Sequence, residues 1–214
     1  MTNTIAPVDT AELVAELGGS TQQTVDFMIG VGLKKDSDAV FFKYDGDEQS
    51  TALVQKSGKP VTRIGNVFLT GLSIADNVYA DAGFAGNKLN VFLETQQGRT
   101  IMLTAGLTTI WSQCVLTALQ GLADADGLTH LIDIDTWKGN SKMKPCFAAI
   151  RDGGMKMTSN VMYQALADAR SDRDYAKTES LLRDAVEIIN AAVTGGEVLP
   201  AVIDMDDENA GADF

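Results

Sequence analysis

The chain reads as mainly β with α, built around a five-stranded barrel with one helix between its third and fourth strands. Three observations carry that expectation. Residues 63–152 hold five segments with the β-branched and aromatic composition or the alternation of strands. Between the third and fourth of them the apolar period changes to that of a helix. The first segment is long and interrupted by Gly71, as the bend that closes a small barrel requires.

In chain order, Thr10 to Leu17 has a short helical pattern closed by Gly18-Gly19. Ala39 to Tyr44 (AVFFKY) is a strand ended by the turn formers Asp45-Gly46-Asp47. Arg63 to Tyr79 carries Val67, Phe68, Leu69, Ile74 and Val78, with Gly71 marking a bulge or sharp bend. Lys88 to Thr95 (KLNVFLET) alternates, placing Leu89, Val91 and Leu93 on one face; Gln96-Gln97-Gly98 turns the chain and Thr100 to Ala105 returns. Ile110, Trp111, Cys114, Val115, Ala118, Leu119 and Leu122 share one side of a helix that Thr108 or Thr109 can cap. Thr129 to Trp137 and Pro145 to Asp152 are the last two strands, joined through Gly139-Asn140-Ser141. Two helices follow, at 160–170 and 173–193; the second has an apolar stripe at Leu182, Val186, Ile189 and Val193. Three strands, a helix and two strands over 63–152 is the order of an OB-fold. The chain thus divides into an N-terminal extension packing on the barrel (1–62), an OB-like barrel (63–158), C-terminal helices (159–194) and a flexible acidic tail (195–214).

Apolar residues make up 45% of the 214 residues, enough for a real core. The net charge of −12 rules out a generally basic nucleic-acid coat, but it is unevenly placed. No Lys or Arg follows Arg183, and residues 184–214 hold eight acids, without which the net charge is −4. Between Trp137 and Lys156 the sign reverses, with Lys138, Lys142, Lys144, Arg151 and Lys156 against Asp152 alone. The two cysteines, Cys114 and Cys146, are too few for a disulfide framework or zinc site and read as buried thiols. Neither a bilayer-length apolar run nor a signal-like start is present, so the expectation is a cytoplasmic protein away from membranes.

An OB barrel meets single strands across its second and third strands and adjoining loops, where it needs cations along the backbone path and rings for bases to stack on. Opposite Leu89, Val91 and Leu93 stand Lys88, Asn90, Phe92 and Glu94; opposite Cys146, Ala148 and Ile150 stand Phe147, Ala149 and Arg151. The loop WKGNSKMK sets Trp137 beside Lys138, Lys142 and Lys144. Trp137, Phe92 and Phe147 are therefore the candidate stacking residues, and Lys88, Lys138, Lys142, Lys144 and Arg151 the candidate phosphate ligands. Each has a plainer interpretation: Phe92 as a ring packed beneath the C-terminal helices, the lysines as a solvated turn or a guarded strand edge. Trp111, on the apolar helix side, reads as core.

The chain closes with IDMDDENAGADF. A barrel followed by an acidic segment ending in Asp213-Phe214 resembles single-stranded-DNA-binding proteins of bacteria and phages, most closely the phage replication type. The resemblance rests on residues 204–214 and, over 63–152, on element order and surface character. It implies non-catalytic, largely sequence-independent binding of single-stranded DNA in replication, recombination or repair. It further implies a tail, through Asp204, Asp206, Asp207, Glu208, Asp213 and Phe214, that recruits partner enzymes and competes with DNA. Free strand edges permit a homodimer. Residues 1–62 and the helices after Asn160 match no pattern of that family.

Two rival readings remain at this stage. One is an acidic protein-interaction module or DNA mimic, for which the charge of −12 is the working surface. The other is a metal-dependent nuclease using Asp133 and Asp135. His130, the only histidine, sits beside Ile132 and Ile134 and reads as a core or partly buried residue, without a Ser/His/Asp set around it. DADG at 124–127 lacks calcium-loop spacing, and Gly30-Val31-Gly32 with Lys34-Lys35 is neither a Walker nor a Rossmann loop. The expectation is no enzyme, no cofactor and no metal.

Overall fold

The computed structural model describes residues 25–32, 37–45, 49–76 and 86–194. The helix expected at 10–17, the Val78-Tyr79 end of the first barrel strand and the acidic tail lie outside the described residues. Nine strands and three helices are present among those described: β1 (Phe27–Val31), β2 (Phe41–Asp45), β3 (Gln49–Ala52), β4 (Arg63–Ala75), β5 (Lys88–Thr95), β6 (Thr100–Gly106), α1 (Ile110–Asp124), β7 (Ile132–Lys138), β8 (Cys146–Asp152), β9 (Met155–Lys156), α2 (Asn160–Ser171) and α3 (Tyr175–Val193). They form one mixed α/β unit whose strands share a single sheet in the order β3-β2-β1-β6-β5-β4-β7-β8-β9.

Alternation builds the centre of that sheet. Val67, Leu69 and Leu72 of β4, Leu89, Val91 and Leu93 of β5 and Leu103 of β6 all turn to one side and are buried. Keeping these residues inward past Gly71 requires a step in register, and the β4–β5 pairing shifts between Leu69 and Gly71. α1 starts where Thr109 accepts a hydrogen bond from the Ser112 N–H at 3.3 Å. Trp111, Val115, Leu119 and Leu122 then fall on the same face and close the core. α3 lays Leu182, Val186 and Ile189 over β4 and α1. At the β4 bend it does more: Asn190 accepts from the Leu72 N–H at 2.8 Å and donates to the Leu72 carbonyl at 2.9 Å. A side-chain amide thereby supplies the hydrogen bonds a neighbouring strand would give.

The five-stranded barrel is where expectation and structure part. β4 pairs with β5 and β7, β5 with β6, and β7 with β8, all antiparallel. Closing a barrel of these five would need β6 to pair with β8, and it does not. β6 pairs in parallel with β1, from Phe27↔Ile101 to Gly30↔Thr104, and the sheet stays open. The reason is a contact between segments far apart in the chain. The Asp26 carboxylate accepts from the Thr100 N–H at 2.8 Å and from Arg99 at 2.9 Å, pinning β1 to the edge of β6. These two donors, the backbone amide first, hold the Asp26 carboxyl below its ordinary range. At its exit β1 reaches the other arm of the sheet: a Cβ on Gly32 would stand 3.0 Å from Cys146 Sγ, and Lys138 Nζ donates to the Ser37 carbonyl. β1 thus sits where direct β6–β8 pairing would have been.

Candidate nucleic-acid interface

The candidate site grows from two alternating strands. In β7 (IDIDTWK), Ile132, Ile134 and Thr136 are buried, Thr136 because its hydroxyl accepts from Trp111 Nε1 at 3.1 Å. Period two then sends Asp133, Asp135 and Trp137 to the opposite face. β8 repeats the arrangement, with Ala148 and Ile150 inward and Phe147 and Arg151 outward, and its register sets Phe147 directly opposite Trp137. The two rings stack with centroids 6.1 Å apart and planes 15° from parallel. Trp137 remains 43% exposed. Such a pair contributes about 0.5–1.5 kcal/mol beyond its burial, so the rings hold each other in place while Trp137 keeps surface open to solvent. Gly139 leaves room for this: a Cβ there would lie 2.7 Å from Phe147 Cε2.

Next to the rings lies an ion ladder. Arg63 of β4 donates from Nη2 to Asp133 at 2.5 Å and stands 3.5 Å from Asp135. Arg151 donates from Nε to Asp135 at 2.8 Å and from Nη1 to the Gly154 carbonyl at 3.2 Å. The Asp133 hydrogen bond, followed by the charges of Asp133 and Asp135, holds the Arg63 guanidinium above its ordinary value. Asp133 also accepts from the Asn66 N–H at 3.0 Å, within the irregularity that breaks β4–β7 register between Ile64 and Val67. Asn66 has φ +56°, and a Cβ on Gly65 would come within 2.5 Å of the Asp133 carboxylate. On an exposed face such pairs add little stability, but they fix where both guanidinium groups point.

The structure brings together only part of the expected set. Trp137, Phe147 and Arg151 share one face. Phe92 does not join them: it is 4% exposed, opposite Met102 and Gly71. β5 is buried on both faces, Asn90 included, so alternation chose the face correctly while its exposure went unread. Lys88 pairs with Ala75, at the end of β4 remote from Arg63. Lys138 directly follows Trp137, so it leaves the opposite face of β7 and donates to the Ser37 carbonyl. Lys142 is exposed in the β7–β8 turn, and Lys144 there lies 3.9 Å from Asp38. Asp204, Asp206, Asp207, Glu208, Asp213 and Phe214 are outside the described residues. One ring was missed: Phe68 of β4 is 37% exposed. Its position between inward Val67 and Leu69 was the available signal.

Other candidate groups have structural occupations. His130 precedes β7 and is exposed rather than part of the core, its Nδ1 2.8 Å from Asp152. Both cysteines are free and partly buried, and burial pushes the Cys146 thiol up, against the opposing charge of Lys138. Among the described residues no three His, Cys, Asp or Glu side chains converge for a metal ion, and no helix is long and apolar enough to cross a membrane. The chain matches no protein-family model, no curated protein and no solved structure.

Proposed function

We propose that the protein binds single-stranded DNA non-catalytically through the outer face of β4, β7 and β8. The observation that carries this reading is the solvent-open Trp137 stacked on Phe147 beside two oriented guanidinium groups. Single strands are held by π-faces for bases and cations for phosphates; this face offers the rings and two guanidinium groups, for which phosphates compete with Asp133 and Asp135. Phe68 extends the track; the β4–β7 register and a rise of about 3.3 Å per residue put it roughly 20 Å from Trp137 along the strands. The antiparallel pairings of β4 with β5 and β7, of β5 with β6 and of β7 with β8 are ones an OB-like barrel would share, although this sheet is open, so the fold adds only an analogy to the reading. Residues 204–214 serve as the partner-recruiting segment, acting in replication, recombination or repair.

Titration with oligothymidine tests the proposal. Trp111 is buried and hydrogen-bonded inside the core, so quenching of intrinsic fluorescence reports Trp137. Quenching that weakens steeply as salt is added is the expected result, because phosphate contacts release counterions. A flat titration at low salt overturns it and leaves the acidic interaction module, for which the charge of −12 speaks.

A further inference from the structure

A second concave site lies away from the ring pair and shares no residue with it. α1 turns Trp111, Val115, Leu119 and Leu122 into the core, which leaves a neighbouring face of Ile110, Gln113, Cys114, Thr117 and Ala118. That face meets α2 and the segment around β9. Because Ala118, Ala148 and Ala149 are small, the surfaces do not fill the space between them, and a cavity of about 270 Å³ remains.

Two features of the cavity specify a ligand. Its walls are mainly apolar, from Ile110, Ala118 and Leu166, so they favour an apolar body. Lys156 and Arg170, both exposed, line it, and among the described residues no carboxylate does; this is a local reversal of sign in a chain of net charge −12. We infer that the cavity binds a small amphipathic anion: an apolar body with one carboxylate, sulfonate or phosphate. The anion meets Lys156 and Arg170, and the body displaces water from the apolar wall.

The probe is 1-anilinonaphthalene-8-sulfonate, which has the apolar body and the anion. Its emission should rise and saturate at one equivalent. Bound probe should slow alkylation of Cys114, which lines the cavity, relative to Cys146, which does not. The exposed double substitution Lys156→Glu/Arg170→Glu should weaken the probe by about tenfold or more, since attraction becomes repulsion at both positions. Displacement by indole-3-acetate assigns a carboxylate ligand, and displacement by thymidine 5′-monophosphate a phosphate. Absent emission, unprotected Cys114, or equal affinity in the rim variant overturns the site, and displacement by neither competitor overturns the ligand class. None of these outcomes depends on DNA binding.

Discussion

Trp137 owes its position to two neighbours, Phe147 beneath it and Gly139 beside that ring, so each makes a separable prediction. Trp137→Ala should weaken oligothymidine binding by roughly 5- to 150-fold, the equivalent of one lost base stack of about 1–3 kcal/mol. The slope of affinity against salt should stay nearly unchanged, because a ring releases few ions; unchanged affinity would remove Trp137 from the site. Gly139→Ala should act through Phe147 instead. The added Cβ would sit 2.7 Å from the ring edge, so the ring must move and the stack loosen. A changed near-ultraviolet circular dichroism signal with an unchanged far-ultraviolet spectrum is the expected signature. At this scale the sequence was informative about Trp137 and Phe147, because alternation put Phe147 outward and the turn put Trp137 at the base of the same hairpin; that the two rings stack on each other came from the register of β7 and β8. It was uninformative about Phe92, because alternation names a face without telling whether that face is covered.

Among the elements, β4 depends on α3 at its bend and β1 depends on Asp26 at its start. Asn190→Leu removes both hydrogen bonds to Leu72 and leaves a backbone N–H and carbonyl short of partners. The expected loss is about 1–3 kcal/mol in urea denaturation, and a variant as stable as the parent would contradict the bridging role. Asp26 titrates below its ordinary range in the fold, so its contribution is present above that range and lost as pH falls through the depressed value. Hydrogen exchange of the β1–β6 amides should therefore quicken only below about pH 4, and Asp26→Asn should remove that acid step. Most elements were legible: the expected segments at 88–95, 100–105, 110–122 and 160–170 lie within a residue or two of β5, β6, α1 and α2. β1, β3 and β9 were not. FMIGV is too short to show a period, QSTA has no apolar signal, and β9 is two residues held only by pairing with β8.

For the whole molecule, charge is the quantity that decides behaviour. A chain of net −12 that binds an anionic polymer must do so over a restricted patch, and residues 184–214 carry eight of its acids. Deleting 204–214 should leave oligothymidine affinity equal or higher at low salt, since like charge is removed. A clear fall in affinity would contradict the recruiting role given to that segment.

Local periodicity and turn chemistry, which act within a few residues, were enough to define the strand–helix order over 63–152, the irregularity at Gly71 and the burial of Trp111. The opening of the sheet was beyond their reach. Whether β6 pairs with β8 or with β1 is a contest between segments far apart in the chain, and hydrogen bonds from Thr100 and Arg99 to Asp26 favour β1. The ion ladder joining Arg63 to Asp133 and Asp135, some 70 residues away, has the same non-local origin. So does the burial of Phe92: a strand's own pattern specifies its two faces, while packing against distant elements settles which of them meets water.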